Sequence, residues 1–443
     1  MSRAPRLMMP AAILGSLLAS GLSPLVHAGR VRAVAKQTLT VIIADPYFDP
    51  AQYLNDKTKK ANPAAYAGAQ MTQTVFNTFY KQHPDYVIQP YNWGWSDALR
   101  QKILLNVAAG NVPDVIVGED FIPEFAREGI LAAIPDASLP KSLASGPLSG
   151  GMYDGKVYAV PAETGIFELY YNKALFRRAG LDPNAPPKTW DQWLTDSKKI
   201  AALGGGISGT TVQGGTGLGA AFRLAPFLRQ LGGDFTTLDS SKITFNSPAN
   251  LKALTFLRQL AQTSAPGVTA LTDEGKFFGS TWWAGKAGFV VDGPWEIGSS
   301  VQNKVDFGVA PLPLPAGGHV ANVIVGNQMF AVTKLAKHQQ AAFDYLRVLA
   351  SEAAARLNYQ TTGRLPANLK VLNTDVKSAG GPISIFAAGL QDSGITALPN
   401  YPANPQKVWD EWYNVQLATL ATTQPIQAAL SQAQSNAEAL LQQ

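Results

Sequence analysis

Aromatic rings at turns and acids at strand ends are the residues of this chain best placed to do chemistry. Tyr47 follows Asp45 closely, Trp93 and Trp95 flank Gly94, Trp282 and Trp283 precede Gly285, and Trp295 follows a Gly293-Pro294 turn. A ring after Gly-Pro is not easily hidden in a regular element. Flat rings match the C–H faces of a sugar, and planar polar groups match its hydroxyl edges, so the combination reads as a carbohydrate site. Trp190 and Trp193, three apart on one helix face, read as core instead. Glu119 and Asp120 follow the apolar run Val115–Val117, and α/β sheets present ligands at the carboxyl ends of such strands.

Reactive alternatives are thinner. The four histidines, His27, His83, His319 and His338, occupy no metal-ligand spacing, and the chain has no Cys, no H-E-x-x-H and no G-x-S-x-G. Gly150 to Lys156 has the spacing of a phosphate loop, but Val157 stands where a hydroxyl must hold Mg²⁺. Gly215 to Ala220 fits the permissive dinucleotide pattern, with Asp239 at a suitable distance, yet no convincing strand precedes it. Neither implies a cofactor. Glu119, Asp120, Glu163, Glu168, Asp292 and Glu296 could supply a carboxylate pair, which keeps an exported carbohydrate-active enzyme as the alternative from another class.

The elements that position these residues alternate. Leu39–Ile43 is a buried-strand composition ending at Asp45-Pro46, and Val87–Pro90 is a second. Leu99, Ile103 and Val107 give a helix from Ser96 to Gly110, before the strand Val115–Val117. Thr189 with Gln192 is a capping-box spacing, and Ser247-Pro248 opens another helix. Gly204–Gly219 reads as loop, 287–291 and 307–310 as strands, and 338–357 and 423–441 as helices. Helices alternating with apolar strands define an α/β protein.

The length of 443 residues allows two or three domains. Charged residues are 15%, against about 25% on average, so Asn, Gln, Ser and Thr must carry much of the surface. Arg3 and Arg6, an apolar stretch from Leu7 to Leu18 and the small residues around Val26-His27-Ala28 make residues 1–28 a cleavable signal peptide, with a membrane anchor as the alternative. The leader takes two basic residues from a net charge of +5, and what remains is too small to attract nucleic acid or an anionic membrane. Without Cys there is no lipid-anchor residue, which favours a periplasmic location and a freely diffusing monomer.

Three ordered stretches carry a family resemblance: Ala108–Val115 running on to Leu131; Gly155–Pro161 through Tyr170–Phe176 to Pro187–Trp190; and Gly285–Gly288 through Asp292–Trp295 and Gly308–Pro313 to Gly363–Pro366. Together the set resembles the family 1 extracellular solute-binding proteins of ABC importers, the group that includes maltodextrin-binding protein. The resemblance implies a two-lobed periplasmic-binding-protein fold, each lobe a mixed sheet flanked by helices, with the ligand cleft between lobes. It places lobe one at 36–158 plus 327–352 and lobe two at 163–322 plus 362–443, with crossings near 158–162, 322–326 and 351–361. It further implies a non-enzymatic receptor that closes on a sugar, a neutral di- or oligosaccharide, and delivers it to membrane permease subunits; a sugar phosphate or another small polar solute is the rival. Tyr171 lies in the strand that the family uses to bring a tyrosine to the cleft. Asn327, Gln328 and Arg364 stand beside the inferred crossings, and one of Trp409 and Trp412 is expected to face the cleft. Two departures bear on the ligand: the opening segment 47–75 is long, and Gly165 stands where maltodextrin-binding protein has an acidic sugar contact.

Overall fold

The apolar runs at 39–43, 87–90, 115–117, 287–291 and 307–310 become strands, because their side chains pack well on a pleated surface. Gln37–Ile43 (β1) pairs in parallel with Tyr86–Asn92 (β2) and with Val115–Gly118 (β3). A hairpin of Met152–Tyr153 (β4) and Lys156–Val157 (β5) leads into Ala159–Gly165 (β6), and the chain then resumes as Glu168–Asn172 (β7). Ser208–Thr210 (β8), Ala287–Asp292 (β9), Phe307–Ala310 (β10), Asn322–Val323 (β11), Val325–Val332 (β12), Leu365–Pro366 (β13) and Ile395–Thr396 (β14) follow. The computed structural model describes residues 35–442 except 120, 137, 215–217, 238–240, 272, 392–394 and 400–404. The expected leader, 1–28, and the candidate ligand residue Asp120 lie outside the described residues.

Two mixed sheets organise two lobes. The first has the order β13-β6-β12-β3-β1-β2, and the second the order β10-β7-β9-β8. Leu39, Val41, Ile116 and Phe330 lie at the centre of the first core, with helices Pro63–Gln82 and Gln339–Leu349 packed against them. In the second sheet successive side chains serve opposite faces: Leu169 and Tyr171 enter one apolar cluster while Tyr170 enters another. The larger of these clusters stacks Trp190 on Phe256, with ring centroids 4.2 Å apart, and surrounds the fully buried Trp193. Both tryptophans are therefore core, as their helical spacing predicts.

The chain passes from first sheet to second at Ile166 and Phe167, between β6 and β7. Asn322 secures this crossing by accepting from the Phe167 N–H at 3.3 Å and donating to the Phe167 carbonyl at 2.6 Å. Arg229 fastens the neighbouring two-stranded pair of β11 and β14, donating to the carbonyls of Asn322, Thr396 and Ala397 at 2.8–3.1 Å while pairing with Asp234.

Caps fall where the sequence places them. The Thr189 hydroxyl accepts from the Gln192 N–H at 3.2 Å, and the Ser247 hydroxyl from the Asn250 N–H at 3.1 Å. Other segments differ from expectation. The glycine-rich stretch 204–219 contains β8, held in parallel on β9. The helix expected over 338–357 is two, Gln339–Leu349 and Glu352–Thr362, because Ser351 stops one and caps the next through the Ala354 N–H. Gly150–Lys156 is no phosphate cradle. Asp154 and Gly155, at φ 47° and 69°, form the turn of the β4–β5 hairpin, and no helix N-terminus follows them. The long segment 47–75 is helical, folding as Pro50–Tyr53, Asp56–Ala61 and the start of Pro63–Gln82. Among the described residues no helix is long and apolar enough to cross a membrane.

Trp409 and Trp412 both point inward on helix Pro405–Leu420, their rings 5.1 and 4.7 Å from Phe235. Trp412→Ala empties a fully buried site and leaves Gln416, which accepts from the indole N–H at 2.8 Å, without that donor. We expect a loss of about 3–5 kcal/mol in urea unfolding; a loss below about 1 kcal/mol contradicts this packing.

Candidate functional site

The site grows from the point where the two sheets meet. Two residues beyond the end of β1 stands Asp45, whose carboxylate pairs with Arg364 at 2.5 Å. Arg364 follows the left-handed Gly363 that ends helix Glu352–Thr362, and its other nitrogen reaches Glu163 at 2.5 Å. Glu163 is buried on β6 and also accepts from the Asn358 amide at 3.2 Å. Burial raises its pKa above the usual carboxylate range, against the opposing pull of Arg364 and Asn358. Arg364 is desolvated too, yet Glu163 and Asp45 outweigh that and hold its proton more tightly than usual. Gln328, opposite Glu163 across the β6–β12 ladder, donates its amide to the Asp45 carbonyl.

Above this polar floor stands Trp295, half-buried at the start of helix Glu296–Gln302. Its ring lies against two glycine backbones. A Cβ on Gly293 would fall 2.3 Å from it, and one on Gly326, at φ +61°, would fall 2.7 Å from it. Phe167 meets the ring edge-on at 6.2 Å. The loop behind it is fixed as well: Tyr170 donates to the Gly293 carbonyl at 2.7 Å, and Asp292 accepts from the Gly293 N–H at 2.7 Å.

These groups line a cavity of about 640 Å³ bounded by Asp45, Trp95, Glu119, Trp295, Gln328 and Arg364. Two buried side-chain oxygens on its walls, the Thr164 hydroxyl and the acceptor Gln328 Oε1, have no hydrogen-bond partner among the described residues. Such a group costs about 1–3 kcal/mol, which a donor hydroxyl relieves. A second cavity of about 680 Å³ adjoins it, with Asn327 and Glu119 in its wall. Among the described residues no cluster of His, Cys, Asp and Glu could hold a metal ion.

Seven of the candidate residues thus meet at the two cavities: Asp45, Trp95, Glu119, Trp295, Asn327, Gln328 and Arg364. The other described candidates do not line them. Tyr47 is buried against Phe330 at 5.6 Å, with its hydroxyl near the Asn358 amide at 3.4 Å, so it supports the floor from beneath. Tyr171 packs on Phe176 at 5.2 Å. Trp282 is fully buried, edge-on to Tyr170, and donates to Ser300 at 2.8 Å. Trp283 donates to Glu296 at 2.9 Å and lies 5.6 Å from Phe278. Trp93 carries Lys102 over its ring at 5.2 Å, and Trp409 and Trp412 fill the second core. Residue type alone makes adjacent or i, i+3 rings candidates for a cleft, but an apolar ring with a satisfied N–H packs as well inside. Thr164, Phe167, Phe222 and Arg223 also line the site, and sequence reasoning does not find them. A helix following a glycine-rich stretch gives no hint that Phe222 and Arg223 look into a cleft.

A cleft with a ring platform on one lobe and a polar floor where the lobes join is a receptor's architecture, built for enclosing a small solute. Residues 58–356 match the model for bacterial extracellular solute-binding proteins, and the chain belongs to that family. It is 26% identical over 277 residues to a maltodextrin-binding protein of Bacillus subtilis, covering 60% of this chain and 63% of that one. It is 26% identical over 231 residues to an sn-glycerol-3-phosphate-binding periplasmic protein of Brucella melitensis, covering 51% and 52%. The alignments thus span less than two thirds of either relative. The crystal structure of a cyclic α-maltosyl-1,6-maltose binding protein from Arthrobacter globiformis superposes with a TM-score of 0.74 at 25% identity, covering 92% of this chain and 99% of that one.

The packing around Trp295 can be tested at two positions. Glu296, the next residue, accepts from Trp283 and Ser300, and its pKa is raised to about 7 by burial first and by the Asp292 charge second. The native protein therefore keeps a proton that the unfolded chain releases near 4.5, so this contribution to stability is full below that pH and is lost as pH rises through about 7. The melting temperature should fall between about pH 5 and pH 8, and Glu296→Gln should flatten the fall; an unaltered slope in the variant contradicts the assignment. Gly326→Ala should cost on the order of 1–3 kcal/mol in chemical denaturation and shift tryptophan emission, because a left-handed backbone and the Trp295 ring both resist a Cβ. A neutral substitution would mean that the ring is not pressed on this backbone.

Proposed function

We propose that this chain is an extracytoplasmic receptor that captures a neutral oligosaccharide by closing two lobes around it and delivers it to the permease of an ABC importer. The observation that carries this reading is the cavity beneath Trp295, where one aromatic platform faces Asp45, Glu163, Gln328 and Arg364. A hexose ring fits such a pair of walls: its C–H face lies on the indole and its hydroxyls meet carboxylates, amides and guanidinium. The orphan acceptor Gln328 Oε1 and the unpartnered Thr164 hydroxyl favour a ligand that brings hydroxyl groups. The maltodextrin-binding and cyclic-maltosyl-maltose-binding relatives point to the same class.

A phosphorylated solute is the second reading, favoured by the glycerol-phosphate-binding relative. The charges weigh against it. Arg364 is committed to Glu163 and Asp45, and Arg223 lies 3.4 Å from Asp292, so both guanidinium groups of the cavity already answer carboxylates. A phosphate dianion would have to break one of these pairs.

The hinge in this reading comprises the segments near 158–162, 322–326 and 351–361, with lobe one formed by 36–158 plus 327–352 and lobe two by 163–322 plus 362–443, although β6 stays on the first sheet to Gly165 and β13 joins that sheet at 365–366. Support comes from the short passage between β6 and β7 and from Asn322, which bonds both backbone groups of Phe167. Hinge closure is a recurring device of periplasmic binding proteins, and a ligand drives it only through interactions that it makes in the closed form and lacks in the open one. No bond is made or broken, and no cofactor takes part. Secretion by cleavage near Ala28 into the periplasm, a monomeric state and the lack of a lipid anchor belong to the same proposal.

Calorimetric titration with maltodextrins, cello-oligosaccharides and sn-glycerol 3-phosphate tests it. A sugar should bind saturably, remain chemically unchanged, and raise the melting temperature, with about 2.7 kcal/mol of added stability at a hundredfold excess over Kd. Trp295→Ala and Arg364→Ala should each weaken binding by at least about tenfold. Binding of the phosphate alone would overturn the sugar reading, and turnover of the sugar would overturn the receptor reading.

A further inference from the structure

The floor of the first cavity carries more negative charge than its own stability requires. Arg364 gives one nitrogen to Glu163 and another to the Asp45 carboxylate, both at 2.5 Å, so two acids face one guanidinium. The two acids are not equivalent. The Glu163 side chain is 3% exposed, and without Arg364 its charge would be stranded. The Asp45 side chain is 60% exposed, so its ion pair contributes little to folding, and its charge opposes that of Glu163 and helps to raise the pKa of that buried carboxyl. The Asp45 backbone has partners of its own, since its carbonyl accepts from Arg364 at 3.3 Å and from the Gln328 amide. The chain at this point is therefore held in place without the carboxylate.

What the carboxylate does is occupy the Arg364 nitrogen that Glu163 leaves over. Both Asp45 and Arg364 line the cavity, and the Asp45 carboxylate stands where an anionic group of a bound solute would meet the guanidinium. Arginine is the side chain best shaped to take a carboxylate or a phosphate. A carboxylate tethered beside it outcompetes one that must arrive from solution. Arg223, the other guanidinium in the wall, is closed off differently: the Asp292 carboxylate, 1% exposed, lies 3.4 Å from it, and the rings of Phe167 and Phe278 stand 5.6 and 5.8 Å from its central carbon. Asp292 is part of the packed interior, whereas Asp45 stands at the surface and can be removed by a single substitution.

We infer that Asp45 is a specificity-determining residue: held on Arg364, it takes the place of a ligand anion, and so keeps uronates and phosphorylated solutes out of the cleft while offering an acceptor to sugar hydroxyls. This inference rests on the sugar reading and adds to it the class of solute that the site refuses.

Calorimetric titration with D-glucuronate, sn-glycerol 3-phosphate and inorganic phosphate, alongside maltodextrins and cello-oligosaccharides, tests the inference on the wild-type chain, Asp45→Ala, Asp45→Glu and Asp154→Asn. Asp45→Ala should melt close to the wild type, because the side chain it loses is exposed. It should bind at least one of the three anions at least about tenfold more tightly than the wild type does, with a gain that shrinks as sodium chloride is raised. Asp45→Glu keeps the charge and should show no gain. Asp154→Asn removes one charge from the exposed β4–β5 turn and should show none either. Equal anion affinity in Asp45→Ala and the wild type, or the same gain in Asp154→Asn, overturns the exclusion and leaves the sugar reading standing where neutral sugars bind the wild type. Binding of sn-glycerol 3-phosphate and of no sugar by the wild type overturns both.

Discussion

A buried carboxylate at the junction of the two sheets sets the terms for the rest of the molecule. Glu163 sits where β6 leaves the first sheet, and its charge is tolerable only because Arg364 and Asn358 supply hydrogen bonds in a site with almost no water contact. Removing Arg364 costs about 3–5 kcal/mol, because Glu163 is left buried without its countercharge. Arg364 in turn holds Asp45 at the end of β1, and Gln328 holds the Asp45 carbonyl. One guanidinium therefore ties together β1, β6 and the end of helix Glu352–Thr362, and does so on the floor of the cavity.

Rigidity at the junction and freedom beside it are compatible because each lobe has its own core. The first centres on Val41, Ile116 and Phe330, and the second on Trp193, Phe256 and Trp412. The segments joining them are short, with Ile166, Phe167, Val323 and Ile324 buried in apolar clusters and with Asn322 and Arg229 bonding to backbone groups beside them. A ligand that touches both lobes can then select the closed arrangement with a few kcal/mol of differential binding. The aromatic platform is prepared for this in advance, since Gly293, Gly326 and Phe167 fix the Trp295 ring.

Much of this is legible in the residues. Caps at Thr189 and Ser247, the strand ends at Asp45 and Glu119, and the Trp295 ring after Gly-Pro are local signals, and local signals survive into the fold. The failures share one cause, which is that residue type does not reveal the side an element shows to its neighbours. Trp282 and Trp412 find internal acceptors in Ser300 and Gln416 and are buried entirely. Phe222 and Arg223 carry no turn or strand signal, yet packing of their helix brings them to the cleft. β8 is hidden by glycines that exist for close approach: a Cβ on Gly209 would fall 2.0 Å from the Ser197 carbonyl.

If ligand capture closes one lobe on the other, small-angle X-ray scattering of the purified chain with and without a saturating concentration of its tightest-binding sugar will register the closure. The bound form should have a smaller radius of gyration, and Trp295→Ala should lose that compaction at the same sugar concentration. Saturable binding with an unchanged scattering profile would contradict it.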